Sequence, residues 1–434
     1  MIELEPALVT TLAVLLVVIL GIIAHRSPRF ALVAALCILC FMPVWVGARL
    51  GFNGNLFLPA AVIASLAVAV VMLPVRSIRP SPADALLLFL ILLALSSFIT
   101  SDPVLALSFL VTPFTYFVGG YALGRIATAR VGADTVYRAV AVVFTVVALL
   151  AILEFTTGIN PFISIGPEGS LFAAWGDIQM RGGIARAEGA FGHSIALGSC
   201  LALAIPLTLA ARFPFTVRLA MVATMLCATV FTFSRIGIIC AFLGIVLCAV
   251  FLTERLRGRQ RAAILGGGAL LALLMLPLVS SVFSEAGEEA ENSGAYRGDL
   301  LPLLARSQLI GFSDSLHRSP AGTLSFDRFI SIDSQLLLTS LTTGVLALLA
   351  ACIALAIAAA LVLRGRAQPA TIAIVAQLPA LATVALITQY AVMLWLVVGI
   401  AATTQALARS PRVSAPSFAV PAVDRFRSAY AIGD

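Results

Sequence analysis

Residues 231–240 read FTFSRIGIIC, and Arg235 is the one charged residue between Leu219 and Leu252. An ionisable group inside a membrane is costly and usually functional, whereas an arginine at a hairpin tip only needs to snorkel to the interface. Other charges share its neighbourhood in the chain's layout. Arg181 and Arg186 stand just ahead of an apolar run that begins at residue 192, and Arg297 and Asp333 lie in and at the end of the segment 283–333. Four arginines meeting on one face would clamp a diphosphate, since each planar fork holds two phosphate oxygens and stays charged at any working pH. The competing use of the same forks is salt bridges with nearby carboxylates. Asp333, ionised near its ordinary pKa of about 3.9, would accept a proton from an attacking hydroxyl. Equally, it would cap the helix expected to follow it.

Around these stand further candidates for substrate contact. His193 opens the apolar run after Arg186, His317 is followed by Arg318, Arg328 precedes Asp333, and Trp175 would stack on a sugar or anchor its loop at the interface. Glu154, near the end of an apolar segment, is placed to pair with one of the arginines, and His25 reads as structural. All seven cysteines fall in apolar segments and read as small core residues, including the Cys37-x-x-Cys40 pair; no metal-type spacing occurs. No phosphate-binding loop, dinucleotide fingerprint, H-E-x-x-H or G-x-S-x-G frame is present. The Gly266-Gly267-Gly268 run reads as a point of close helix packing.

The elements that must position these residues follow from hydropathy. Apolar residues make up 61% of the 434, charged residues 11%, and the mean hydropathy is +1.09, which excludes an ordinary soluble domain. The net charge of +7 then reports topology in place of an acidic partner, and nucleic acid is not expected. A crossing needs about 20 apolar residues, which places spans near 7–24, 30–48, 55–75, 83–100, 103–125, 136–155, 192–211, 215–234, 236–253, 262–282, 334–363, 370–388 and 390–408. The expected fold is an all-α polytopic bundle of 12–13 transmembrane spans in a single domain, the separateness of 390–408 being open. The first run reads as a retained span, not a signal peptide.

All basic residues are arginine, and most of the 27 fall in alternate short loops and in the C-terminal tail, while most of the 20 carboxylates fall on the other side. The positive-inside rule makes the C-terminus cytoplasmic and the acidic MIELEP extracytoplasmic. Two long loops, 156–191 and 283–333, then lie outside. Loops of this length in a compact bundle are usually functional or disordered. Each is expected to hold a short surface helix, the second with Leu300, Leu301, Leu303, Leu304 and Leu309 along one side.

The stretch RAEGAFGHSIALGSCLALAIPL followed by TFSRIGIICAFLGIVL resembles the central signature of the O-antigen ligase and polysaccharide polymerase superfamily. That signature is an Arg, a Gly-x-Phe, a polar turn opening a helix, then Ser-Arg-x-Gly after the next span. YRGDLLPLLARSQLIGFSDS and SIDSQLLLTSLTTGVLALL resemble the family's later pieces, so the likeness covers residues 181–350, with the earlier spans fitting only in hydropathy. The resemblance implies a GT-C type glycosyltransferase of the bacterial inner membrane. Its donor would be a glycan on undecaprenyl pyrophosphate at the outer leaflet, and it would use no cofactor and no obligatory metal. Arg186, Arg235 and Arg297 match the family's arginines. Ligases of the family carry a His-Asn-like pair where this chain has Asp333-Ser334, which favours a polymerase of O-antigen or exopolysaccharide repeat units over a ligase. Export or chain-length proteins are the partners implied. A lipid or solute transporter would instead need repeated halves and midplane charges, and a membrane scaffold would need no converging arginines.

Overall fold

The structure is a computed structural model that describes residues 21–23, 25–50, 56–73, 78–100, 103–166, 169–285, 295–318 and 324–409. The span expected at 7–24 falls almost wholly outside these residues. So do Arg76, most of the acidic opening of the second loop, and the tail beyond Arg409.

Within the described residues the fold is mostly helical. In chain order it runs α1 (Pro28–Phe41), β1 (Gly47–Leu50), β2 (Leu56–Pro59), α2 (Ala60–Val71), α3 (Pro82–Thr100), α4 (Pro103–Val131), α5 (Ala133–Thr157) and α6 (Ser170–Trp175). Then follow β3 (Met180–Arg181), β4 (Ile184–Ala185), α7 (Ser194–Ala210), α8 (Phe215–Phe231), α9 (Arg235–Phe251) and α10 (Gly258–Glu285). A 3-10 turn at Leu301–Arg306, β5 (Leu316–Arg318) and β6 (Leu324–Phe326) form the second loop. The chain finishes with α11 (Gln335–Thr343), α12 (Val345–Leu363), α13 (Pro369–Ala376), α14 (Leu378–Thr383) and α15 (Thr388–Ala408). The strands form three separate antiparallel hairpins. Four described helices, α5, α10, α12 and α15, are each long and apolar enough to cross a membrane, and shorter apolar helices accompany them.

The centre of the bundle is α7. It is apolar nearly all round, and every residue from Ser194 to Ala210 except Ile195 is buried, as expected of a helix with neighbours on every side. Helices α5, α8, α9, α13 and α15 surround it. Pro206 removes one hydrogen bond from its interior, and Gly244 of α9 lies against the proline ring.

A second tight contact joins α4 to α15. A Cβ on Gly120 or Gly124 would overlap the backbone of Val392 or Leu396, and one on Gly399 would overlap that of Tyr121. Here small residues four apart admit close helix approach. Beside them Arg125, 3% exposed, sends Nε and Nη2 to the two oxygens of Asp84 at 2.9 and 2.6 Å, Nη2 also to the Arg79 carbonyl and Nη1 to Thr403 Oγ1. The Tyr121 hydroxyl donates to the same carboxylate. A bidentate, fully bonded pair is the form in which buried charges persist, and this one ties α3, α4 and α15 together.

Several expected spans are not continuous helices. The segment expected at 30–48 ends its helix at Phe41, because Pro43 cannot continue it, and 55–75 begins as a strand. Between them β1 and β2 pair from Gly47–Pro59 to Leu50–Leu56. The expected 334–363 breaks at Gly344, whose φ of 101° suits glycine, into α11 and α12. The expected 370–388 breaks at Gln377, whose side chain accepts from the Tyr390 hydroxyl at 2.9 Å. The chain then reverses over 384–387, so α15 is a helix of its own packed beside α13.

Two packing expectations are overturned. Gly266 and Gly267 face open space and a Cβ on Gly268 would meet only the Ile245 and Phe242 side chains of α9 at 3.8 and 4.0 Å, so the triple glycine admits no close backbone approach. The leucines of the second loop split: Leu300 and Leu303 are buried with Phe326, Phe329 and Ile332, while Leu301, Leu304 and Leu309 are exposed. A 3-10 turn has three residues per turn, not 3.6, and scatters a helical stripe. Cys352 likewise faces outward on α12, unlike the buried Cys40, Cys200, Cys240 and Cys248.

Candidate functional site

The turn Thr232-Phe233-Ser234 links α8 to α9 and determines where Arg235 emerges. Phe233 adopts φ 44°, a left-handed conformation that is strained for an aromatic residue, and is fully buried. Ser234 caps α9 by accepting from the Gly237 amide at 3.1 Å. Three successive carbonyls, from Phe231 to Phe233, point to the β3–β4 hairpin and the residues just after it, while that of Ser234 accepts from the Ile238 amide at 3.0 Å. Phe231 accepts from the Ala187 amide at 3.1 Å, Thr232 from Arg186 Nε at 2.8 Å, and Phe233 from Arg181 Nη1 at 2.8 Å. Arg181, Arg186 and Arg235 are therefore gathered at one turn, Arg186 buried and Arg235 exposed as the first residue of α9.

A second helix begins beside it. His193 caps α7, its Nδ1 accepting from the Ile195 amide at 3.1 Å. The two helices cross one turn inside their caps, where a Cβ on Gly237 would stand 3.1 Å from the Gly198 Cα. Two helix N-termini with their partial positive charges thus open together beside the guanidinium groups of Arg181 and Arg186 and the start of α9 at Arg235, an arrangement suited to a multiply charged anion. Trp175 stacks edge-on against the His193 ring at 5.8 Å, and Gly192, at φ 61°, leaves room for the Trp175 carbonyl.

Buried polar groups brace the arginines from behind. Gln179 Oε1 accepts from Ser194 Oγ at 2.9 Å and from Arg186 Nη1 at 3.3 Å. Its backbone amide donates to Glu188 Oε1 at 3.0 Å, and its carbonyl accepts from the Arg186 amide at 3.0 Å. Burial pushes the Glu188 carboxyl up to about 7, with Glu154 raising it further and the Gln179 amide and Arg186 opposing. Burial, aided by Arg186, lowers His193 to about 4, so the imidazole is neutral at pH 7. Glu154 does not pair with an arginine. It accepts from the backbone amides of Glu188 and Gly189 and from Asn160 Nδ2, because the loop bends over the end of α5 and buries its own amides there.

Next to this site opens a cavity of about 1140 Å³, lined mainly by apolar side chains of α3, α4, α11, α12 and α15. It extends from Thr388 to Arg409 along α15, whose 21 residues span about 30 Å. The arginines at the Phe233 turn are not in its wall. Trp175 is, as is Gln335, so the groove reaches the site through the ring that abuts His193.

The remaining candidates sit in the second loop. Asp333 is half-buried and accepts from Ser331 Oγ at 3.2 Å. It does not cap α11; Ser334 does, accepting from the Leu337 amide at 3.3 Å, since the cap must directly precede the helix and α11 starts at Gln335. Arg297 lies in the helical residues 295–300 beside Tyr296, whose hydroxyl donates to the Ser331 carbonyl and is raised by burial and by Asp333. Arg297 and Asp333 thus share one small module. No described contact joins Arg297 to the Phe233 turn; the guanidinium groups of Arg181 and Arg186 meet there, where Arg235 also opens α9. His317 faces Asp327 at 3.6 Å beside Arg306, and Arg328 bonds Asp299 at 2.8 Å over the Phe329 ring. Both are engaged on the exposed side of the loop.

No family model, curated protein or solved structure matches the chain significantly. Gln179 and Glu188 were not among the residues singled out from the sequence. The one available signal for Glu188 was a carboxylate placed within the short apolar run of RAEGAFG.

Proposed function

We propose that the protein is a membrane glycosyltransferase that polymerises oligosaccharide repeat units carried on undecaprenyl pyrophosphate. The observation that carries this reading is the joint opening of α7 and α9 beside Arg181, Arg186 and Arg235, with an apolar groove as long as a bilayer's hydrocarbon core starting at the neighbouring Trp175. A lipid diphosphate needs both: cationic forks for its head and an apolar channel for its tail.

In this mechanism the diphosphate of the growing chain lies against the two helix N-termini and the three guanidinium groups. A sugar hydroxyl of the incoming unit attacks the anomeric carbon and passes its proton to the Asp333 carboxylate. The bond from that carbon to the diphosphate oxygen breaks, and lipid pyrophosphate leaves with the electron pair. Charge grows on the leaving oxygens as the bond breaks, so fixed guanidinium groups stabilise the transition state more than the ground state. Arg297, in the same module as Asp333, orients the incoming unit. The fold sits in the inner membrane with this face outward, and its apolar helices form a polytopic bundle of 12–13 spans.

The test is incubation of purified protein with lipid-linked repeat units. A ladder of longer chains is expected. A single transferred product would make the protein a ligase, and the absence of any product with intact protein would refute the transferase reading.

A further inference from the structure

The turn joining α7 to α8 lies at the opposite end of these helices from Arg235, and it holds a second guanidinium cluster that glycosyl transfer does not use. A cavity of about 310 Å³ lies there, lined by Ala210, Ala211, Arg212, Phe213, Arg218 and Arg255, at the small end of ligand-site volumes of roughly 300–1,000 Å³.

Part of this cluster has a structural purpose. Arg218 Nη1 donates to the Leu209 carbonyl and Arg255 Nη1 to the Ala210 carbonyl, so both arginines satisfy the C-terminus of α7. Capping does not account for the rest. Arg218 is 9% exposed, and its Nε–H is enclosed without a hydrogen-bond partner. An arginine cannot shed its proton to avoid that cost. Asp134 is the one carboxylate in the cluster, 2.9 Å from Arg212 and 3.5 Å from Arg255. Three positive charges thus face one carboxylate and roughly half a negative charge from the end of α7, which leaves a positive excess of more than one charge around the cavity that the three arginines line.

We infer that this cavity binds a phosphate-bearing anion. A phosphate presents several oxygens to planar forks, and those of Arg212, Arg218 and Arg255 line this cavity. The phosphate has two possible sources, the headgroup of an anionic phospholipid or free phosphate. Val217, an apolar residue 39% exposed beside Arg218, offers a surface for the acyl chain of the first.

The experiment uses the full chain purified in neutral detergent, titrated separately with phosphatidylglycerol, phosphatidylcholine and inorganic phosphate, and read as a shift in thermal unfolding midpoint. Phosphatidylglycerol is expected to raise the midpoint at concentrations where phosphatidylcholine does not. Arg212→Gln, at a side chain 78% exposed and thus unnecessary to the fold, should weaken the apparent affinity about tenfold. Arg218→Gln should abolish the response. A response to inorganic phosphate that is lost in the same variants would support the site with free phosphate as its source. Equal responses in wild type and Arg212→Gln, or no response to either anion, would overturn the proposal.

Discussion

Gly198 of α7 lies so close to Thr232, in the turn ahead of α9, that a Cβ on it would come within 2.9 Å of Thr232 Oγ1 and 3.6 Å of the Gly237 Cα. Thr232 is the residue whose carbonyl holds Arg186. Helix crossing and arginine placement are therefore one structural fact.

Gly198→Ala is expected to destabilise the protein by about 1–3 kcal/mol, the usual cost of overpacking a close contact, and to reduce transferase activity beyond what that loss explains. Thermal unfolding and initial rates on the same preparation separate the two effects. Unchanged activity in a variant with a lowered midpoint would mean that Thr232 does not position Arg186.

Arg186→Lys keeps the charge but removes the fork that spans Thr232 and Gln179. Activity should fall by roughly 10²–10³, the range for losing one preorganised donor to a developing oxyanion. Arg328→Lys, at an exposed ion pair with Asp299, should stay within twofold in the same assay.

Buried Glu188 and half-buried His193 should give the protein opposing pH responses. The folded Glu188 pKa, about 7, lies above its ordinary 4.5, so its contribution is fullest below 4.5 and is lost as pH rises towards 7. The folded His193 pKa, about 4, lies below its ordinary 6.5, so its contribution is full above 6.5 and is lost as pH falls towards 4. Between 4.5 and 6.5 the two slopes oppose. Relative to wild type, Glu188→Gln should therefore gain stability with rising pH in that window, and His193→Asn, which can still cap α7, lose it. Midpoint unfolding across pH 4–8 checks both signs.

Filling the groove should discriminate among donors by tail length. Ala354 lines the cavity from α12, and Ala354→Trp would displace part of a long tail. A tenfold rise in KM for a long polyprenyl donor corresponds to about 1.4 kcal/mol, less than the burial of two methylenes at about 0.8 kcal/mol each. A donor with a short prenyl tail should be almost unaffected. Equal losses on both donors would place the tail elsewhere.

Removing one partner of the Asp84–Arg125 pair should destabilise the bundle without touching the site. Asp84→Asn leaves Arg125 buried with an uncompensated charge, which typically costs about 3–5 kcal/mol. Because the Asp84 side chain is 38% exposed, the lower end is expected. A midpoint unchanged from wild type would show that solvent already screens the pair.

Most helices were legible from hydropathy, because an element that meets lipid must be apolar over a length close to the bilayer's. The expected 136–155, 192–211, 215–234 and 236–253 correspond to α5, α7, α8 and α9 within a few residues. Local chemistry also placed His193 at a helix opening, since a cap is a property of a few adjacent residues, whereas Ser234, expected to end the span 215–234, instead caps α9. Asp333 was misplaced by one residue for the same reason: Asp and Ser both cap, and only the backbone of α11 shows that Ser334 does.

Three matters lay beyond the sequence alone. The carbonyls of Thr232 and Phe233 hold Arg186 and Arg181, and a carbonyl leaves no trace in residue type. Gly120, Gly124 and Gly399 make a close helix contact while Gly266 and Gly267 face open space, because whether a glycine admits a neighbour depends on whether one arrives. The groove beside Trp175 is walled by residues of distant helices. Each helix needed only its own run of apolar residues to form. Where those helices leave a channel, and which arginines they bring to its end, was decided by packing among segments that the order of the chain keeps apart.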